Sequence, residues 1–385
     1  MPNAPHYDLI ITGAGVLGSF HAYHACRKGL KVLLLEKDSR PAEATVRNFG
    51  QVVPSGMKQG KWQEYGRRSL DIYDKIQQRF DISVRRNGAI YIASDERELG
   101  LIQELAAINR VNDYNSVLLS ARDCLDQYPG LKESYCKGGL FFPQEITVEP
   151  NRMIHLLLAY MQEQLKLDYR PGTLVQFVDY VNGKCIVEDS KGNAWTAGKV
   201  IICNGRDFRH LFPVLFNESD IVVSKLQMMK TIPLPGFAIK GSVLSGLSIR
   251  RYESFGECPS YKIVSADPVE ESIRQWGIHI LFKQAADGSV IIGDSHEYAP
   301  AATQDTLGYE IKQGINDCII AEAQRIFNLP SWQMAEYWNG YYAQRTNGDL
   351  YAKEVAANVH IITAIGGKGM TAGPGLAEQT INQLF

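Results

Sequence analysis

Two hydrophobic patterns divide this chain and predict two kinds of structure. At the front, a short apolar run at 7–12 is followed by a glycine turn, a segment of helical length that stops at Gly29, and a second apolar run at 31–35. Runs of strand length on either side of a helix-length segment predict a strand, helix, strand unit. A helical pattern over 149–166 leads into "KVIICNG" (199–205), an unbroken apolar run of the kind buried on both faces of a parallel sheet. From about 207 to 336 apolar and polar residues alternate in short runs cut by Gly and Pro, as in "IVVSKLQMMKTIPL", "GIHILFKQ" and "DGSVIIGDSHEY". This predicts a mostly antiparallel sheet. Residues 88–93 open a strand-rich insertion containing the helical stretch "ERELGLIQELAAINRV", and "DTLGYEIKQGINDCIIAEAQRIF" adds one amphipathic segment of helical length. The segment "AIGGKGMTAGPGLAEQTI" (364–381) packs five glycines into ten residues and runs into a helical pattern. So many glycines carry a large entropic cost on folding, which points to sharp turns or close approaches there.

The expected class is α/β, α+β overall, with a Rossmann-like nucleotide-binding domain and a second, mostly antiparallel-sheet domain. At 385 residues the chain exceeds the usual size of a single core, consistent with two domains. The expected division gives 1–87, 140–210 and 337–385 to the first domain, and 88–139 and 211–336 to the second.

In the front unit Gly13, Gly15 and Gly18 fit Gly-x-Gly-x-x-Gly: a tight turn, a close approach to pyrophosphate, and contact between helix and strand. The helix start, with Val16 and Leu17, then faces phosphate with its free amides and partial positive charge. Glu36 ends the second run eighteen residues after Gly18, placed to accept hydrogen bonds from a ribose diol. The motif leaves NAD and FAD open. NADP is disfavoured, because an acid at that strand end repels a 2′-phosphate.

Composition narrows the partners. Forty Lys plus Arg against 42 Asp plus Glu leave a net charge of −2, with no overall field to attract nucleic acid or an anionic membrane. A small-molecule partner is expected. The seven cysteines are scattered, odd in number and never spaced Cys-x-x-Cys, which argues against a disulfide framework and a zinc site. His21 and His24 lack the Glu of a His-Glu-x-x-His motif and read as helix-face residues, so no metal is expected. The N-terminus lacks the pattern of a signal peptide, and no run of eighteen apolar residues occurs, so the expected location is the cytoplasm, with no transmembrane segment.

In their order along the chain, "ATVRNFGQVVPSG", "RRNGAIYIAS", "GGLFFPQEITVEPNRMIHLLLAYMQEQ", "KVIICNG" and the glycine-rich tail resemble the FAD-dependent amine oxidoreductases that include D-amino-acid oxidase, glycine oxidase and sarcosine oxidase. The resemblance spans nearly the whole chain and implies FAD as the dinucleotide. It implies that Arg47, Asn48 and Gly50 lie along the isoalloxazine. It also implies that Gly366, Gly367, Gly369, Met370 and Thr371 bring a helix start to the flavin's pyrimidine edge. There the helix dipole would favour negative charge on reduced flavin. With Lys37 after the acid, Asn204 and Gly205 at the end of "KVIICNG", and Gly340, these complete the expected cofactor-binding set.

The resemblance also implies the chemistry: hydride leaves the carbon next to nitrogen for the flavin, and the resulting imine hydrolyses. No acid–base constellation is visible in the sequence, and hydride transfer from an amine that is already neutral requires none. An anchor for the rest of the substrate is needed. Relatives that bind α-carboxylates commonly carry Gly-x-Arg-Pro followed by Asp-Gly; here "GYYAQRTNGD" puts Tyr342 and Ala343 at the Arg-Pro positions. Arg345, three residues on, points to the opposite face of an extended strand. The other candidate cations are Lys225, Arg250, Arg251, Lys283 and Lys368, the last inside the flavin-facing loop; Tyr341, Tyr342, Tyr252 and Tyr261 are candidate hydroxyl donors. Tyr342, Arg345, Lys368, Arg250 and Tyr252 form the expected substrate-orienting set.

The altered anchor, with overall likeness to a branch linked to aminoalkylphosphonate oxidation, makes 2-aminoethylphosphonate or its N-methyl or hydroxy derivatives the expected substrate. A glycine, sarcosine or D-amino-acid oxidase is the alternative. "WNGYYAQRTNGD" lacks the cysteine to which sarcosine-oxidase relatives attach flavin, so noncovalent FAD is expected. Isoleucines in "SVIIGDSH" stand where those relatives place an oxygen-activating lysine, so dioxygen and other electron acceptors both remain open. Two rival readings are an NAD-dependent dehydrogenase, which leaves "RNFGQ" and the glycine-rich tail unexplained, and a non-catalytic FAD-binding protein.

Overall fold

The computed structural model describes residues 5–385, and two large sheets organise them. At the centre of the first sheet, His6–Thr12 lies parallel between Ala194–Ile202 and Val32–Leu35. Asp168–Arg170 extends it parallel on one side, and Val359–Thr363 and Tyr351–Ala356 on the other. Leu9, Ile10 and Ile11 are all fully buried because both faces are covered, which is why this strand reads as an unbroken apolar run. Thr12 is in register with both Leu35 and Ile202, so the three strands end together. Their carboxyl ends deliver Gly13, Glu36 and Cys203 to one rim, where ligands bind α/β sheets.

Three helices cover one face: Val16–Arg27, Pro150–Leu165 and the last helix, Gly369–Leu384. The last helix lies against both Val16–Arg27 and Lys61–Gln77. Met370, Leu376 and Ile381 are buried there, each contributing about 1.5–3 kcal/mol relative to exposure. A side chain at Gly375 would overlap the backbone oxygen of Tyr65, so this glycine sets the distance between two helices. Pro374 has no N–H to offer the carbonyl of Met370 four residues earlier, and the Tyr73 hydroxyl donates to it instead at 3.1 Å. His21 and His24 are buried in the fingerprint helix, where their ring nitrogens contact the carbonyls of Leu17 and Pro374.

The second sheet has nine strands, and each of its pairings is antiparallel except that of Ser242–Leu244 with Ala89–Ala93. Its longest pairing joins Ile221–Thr231 to Met334–Arg345. That corrects the expected division, which gave residues from 337 onward to the nucleotide domain: the strand is hydrogen-bonded into the second sheet up to Arg345. Gly138–Phe142, which straddles the expected boundary at 140, also belongs to this sheet. "ERELGLIQELAAINRV" is a helix at Glu96–Val111, capped by the Asp95 carboxylate on the N–H of Glu98. The amphipathic stretch 305–327 is helical only from Gln313 to Ile326, because Gly308, at φ +58°, ends the turn before it. No helix of the described residues is long and apolar enough to cross a membrane.

Candidate active site

A cavity of about 560 Å³ opens where the two sheets meet. Its first half is built by the front unit. Gly13, at φ +89°, passes so close to the strand end that a side chain there would overlap the carbonyl of Cys203. At Gly18 a side chain would overlap the carbonyl of Gly13, so Gly18 holds helix to strand and does not itself line the cavity. The helix that starts at Val16 has Gly15 as its N-cap, no capping side chain and no acid in its first turn, leaving a positive end facing the cavity. Glu36 accepts from the N–H groups of Ala14 at 2.8 Å and Asp38 at 3.0 Å. Burial raises its carboxyl pKa, and those two donors oppose the shift.

The loop carrying "RNFGQ" corrects one expectation. Asn48 lines the cavity with its amide engaged inside its own loop: it donates to the carbonyls of Ala44 and Thr45 and accepts from Gly50 N–H at 2.7 Å. Gly50, at φ +71°, abuts Val148 and lies off the cavity wall. Gln51 is the amide left over, its Nε2 buried, partnerless and beside the cavity. Arg47 lines the cavity and donates to the carbonyls of Ala42 and Asn339. Lys37, Asn204, Gly205 and Gly340 line it as well.

The glycine-rich segment closes this half from the far end of the chain. Gly366–Lys368 makes a short 3₁₀ turn, and the last helix then begins at Gly369 with no capping side chain and no acid in its first turn. Gly366, Gly367, Gly369, Met370 and Thr371 all line the cavity, and the Thr371 hydroxyl accepts from Val53 N–H at 3.1 Å. Two uncapped helix starts, glycine clearances at the strand ends, and the partnerless buried atoms Thr12 Oγ1, Gln51 Nε2 and Asn204 Oδ1 suit a long polar dinucleotide.

The second half of the cavity is walled by Tyr252, Tyr342, Arg251, His279, Asp294 and His296. Of the expected substrate-orienting set, Tyr342 and Tyr252 line this half and are half-buried. The cations of that set lie elsewhere or are already paired. Arg250 is off the cavity wall, held by Glu98 at 2.6 Å, Asp95 at 2.7 Å and Asp267 at 3.5 Å. Arg345 lies at the cavity edge, bound to Asp220 at 2.9 Å. Lys368 is clamped between Glu253 at 2.7 Å and Asp349 at 2.9 Å. Lys225 is buried against the carbonyls of Leu307 and Glu310, and Lys283 against Val148 and Glu149. Tyr341 lines the cavity, whereas Tyr261 bonds the carbonyl of Arg250 outside it.

Arg251 is different. It is exposed to the cavity and donates to the Gly277 carbonyl at 3.2 Å and the Tyr298 hydroxyl at 3.3 Å, with no carboxylate within ion-pair distance among the described residues.

Sequence reasoning also missed a buried cluster. His279 Nδ1 lies 2.8 Å from Asp294 Oδ1, and His296 Nδ1 lies 4.0 Å from the same oxygen. Each of the three residues is 5% exposed. The signal was faint: Asp294 and His296 sit in the short connection between Val290–Gly293 and Glu297–Pro300, and only the backbone pairing of His279 with Asp294 brings the first imidazole in.

The family model described as "FAD dependent oxidoreductase" matches residues 8–383. Among curated relatives, an opine oxidase subunit of Agrobacterium tumefaciens (strain Ach5) is 22% identical over 363 residues, covering 89% of this chain and 83% of the relative. Glycine oxidase of Bacillus licheniformis is 22% identical over 389 residues, covering 98% of this chain and 93% of the relative. The solved structure of L-proline dehydrogenase from P. horikoshii superposes with a TM-score of 0.79 at 16% identity, over 99% of this chain and 93% of that one, which shows a shared fold. With the family model covering nearly its whole length, the chain belongs to the FAD dependent oxidoreductase family, and FAD is its cofactor.

Proposed function

We propose that this enzyme oxidises a small primary or N-methylated amine that carries a phosphonate, with 2-aminoethylphosphonate as the type substrate and phosphonoacetaldehyde as its product. FAD, when bound, supplies a two-electron acceptor for the hydride leaving the carbon next to nitrogen. The chain's own residues bind and orient the amine and wall off water.

Arg251 carries this reading. It is the cavity-facing guanidinium beside the tyrosine cluster that has no carboxylate partner, so it is available to an anion. Tyr252 and Tyr342 line the cavity near it, and with the guanidinium they offer more donors than the two oxygens of a carboxylate need. The three oxygens and higher charge of a phosphonate match that supply. The relatives named opine oxidase and glycine oxidase support oxidation at a carbon–nitrogen bond. Their names also keep an amino-acid substrate as the second reading. FAD is held noncovalently in this proposal. The seven cysteines, all unpaired, suit a reducing cytoplasm.

The deciding experiment is an anaerobic visible spectrum of the purified holoenzyme with 2-aminoethylphosphonate, and with glycine, sarcosine and D-alanine in parallel. Bleaching by the phosphonate alone is the expected result. Faster bleaching by an amino acid overturns the substrate and keeps the enzyme class. A flavin that no amine reduces favours the non-catalytic reading. Oxygen uptake during turnover distinguishes dioxygen from another acceptor.

A further inference from the structure

We infer that His279, held by Asp294, takes the proton that the substrate's ammonium group must lose before its carbon–hydrogen bond can break. The inference rests on the reading of an amine substrate and assigns a residue to a step that reading leaves open. A small alkylamine is protonated at neutral pH, and its nitrogen has no lone pair to support hydride departure. The balanced step is R–CH₂–NH₃⁺ plus neutral imidazole to R–CH₂–NH₂ plus imidazolium. The C–H bond then breaks, its electron pair leaves with hydrogen to bound FAD as oxidant, and the nitrogen lone pair forms the C=N bond of R–CH=NH₂⁺.

Other acidic and basic groups on the cavity wall are already engaged. Glu36 takes two backbone N–H groups, Glu253 and Asp349 hold Lys368, and Asp207 faces His210. His279 and Asp294 are placed by their backbones: Asp294 N–H donates to the His279 carbonyl at 2.7 Å, and His279 N–H donates back at 3.1 Å. This reciprocal pair fixes Nδ1 and Oδ1 2.8 Å apart. Both atoms are buried, and neither bonds any other group among the described residues, so the imidazole and the carboxylate face only each other.

The surroundings keep the carboxylate charged. Burial alone would raise the Asp294 carboxyl, but its surroundings, the fixed charge of the Arg251 guanidinium among them, hold it below its ordinary range. Burial drives His296 down to about 3 despite Asp294, so the second imidazole stays neutral. Tyr252, with its ring 6.0 Å from that of His279, and Tyr298 and Tyr342 beside His296 are the remaining titratable groups facing the cluster. Burial pushes the Tyr252 and Tyr342 hydroxyls well above their ordinary range, so neither takes a proton near neutrality.

Two imidazoles and a carboxylate whose ligand atoms lie within 4.8 Å of one another could also hold a divalent metal. The neighbours argue against it: His296 Nδ1 contacts the Gly277 carbonyl at 3.0 Å, and the Arg251 guanidinium donates to that same oxygen at 3.2 Å. A dication would sit beside a fixed cation.

The test compares wild type with His279→Gln and Asp294→Asn, each first shown to retain flavin. The probe is 2-aminoethylphosphonate or, if wild type fails to bleach with it, whichever amine does. Anaerobic flavin reduction in His279→Gln should fall about 100-fold at pH 7 and recover as pH rises toward the amine's own pKa, where neutral substrate is supplied by solution. Binding of the N-trimethyl analogue, which has no proton to lose, followed by flavin spectral perturbation, should stay within about twofold of wild type. Long-range ¹H–¹⁵N spectra of wild type should show His279 protonated at Nδ1 and bare at Nε2 at pH 8. The inference is overturned by a wild-type rate and pH profile in His279→Gln, by an equal loss of analogue binding, by the opposite tautomer, or by one tightly bound metal per chain. A wild-type flavin that no amine bleaches sinks the functional reading, and this inference with it. Bleaching by an amino acid alone sinks only the phosphonate and leaves the proton step to be decided with that substrate.

Discussion

The Tyr73 hydroxyl donates to the Met370 carbonyl 3.1 Å away, and Met370 is the residue whose acceptor Pro374 leaves free. Both residues are buried, so the bond replaces a rung the last helix cannot form and seals its first turn against Lys61–Gln77. Tyr73→Phe keeps the ring and removes the donor. The expected loss is about 1–3 kcal/mol, the penalty for an unmet buried acceptor, read as a lower urea midpoint with unchanged slope.

Arg251→Ala should reduce kcat/KM for an anionic amine by about 2–3 kcal/mol, or roughly 100-fold, the weight of a charge-assisted contact to a ligand. The side chain is open to the cavity and makes no ion pair, so the melting temperature should move little. Arg250→Ala should do the reverse, because its guanidinium ties Asp95, Glu98 and Asp267 together away from the cavity. Steady-state kinetics beside thermal denaturation separates the two.

Glu145 is fully buried, accepting from Ser55 N–H at 2.7 Å and the Tyr114 hydroxyl at 2.8 Å, and burial raises its pKa to about 7 against those donors. An acid with a raised folded-state pKa keeps its proton where the unfolded chain has lost it. Stability therefore falls as pH rises from about 4.5 to about 7. Glu145→Gln should flatten that slope and gain up to about 3 kcal/mol at pH 8. Denaturant titrations at pH 5 and pH 8 check it; an unchanged slope would sink the assignment.

Gly13→Ala puts a side chain at φ +89° and into the carbonyl of Cys203. Strain and displacement at the nucleotide rim should leave the purified protein pale, with a flavin-to-protein ratio well below wild type. Full flavin occupancy in the variant would show that the rim yields more readily than its packing implies.

How much the sequence told depended on how local each feature was. Gly13, Gly15 and Glu36 lie within one strand, helix, strand unit, so spacing alone brought them to one rim. The anchor failed for the opposite reason. Arg250 and Arg251 are neighbours at the end of a single helical turn, Gly246–Ile249, and only the packing of that turn decides which faces Glu98 and which faces the cavity. Lys368 was placed correctly in its loop, but the Glu253 and Asp349 that occupy it come from other segments. Asn48 lines the cavity with its amide bonded to its own loop, because a side-chain amide beside a sharp turn finds backbone partners close by. The His279 and Asp294 juxtaposition arises just beyond the paired strands Leu281–Gln284 and Val290–Gly293, where two backbone bonds join them, and no local pattern encodes it.

The building of one half of the cavity from distant segments also sets an order of events during synthesis. His24 on the fingerprint helix meets the Pro374 carbonyl across 350 residues of chain, and the stretch from Gly366 to Thr371 supplies part of the far wall of the cavity. A nascent chain can form the front strand, helix, strand unit early, but it has no closed cradle until the final helix has been made. A chain cut short before Gly366 therefore leaves the apolar seam of the fingerprint helix uncovered on the side where Met370, Ala377 and Ile381 pack.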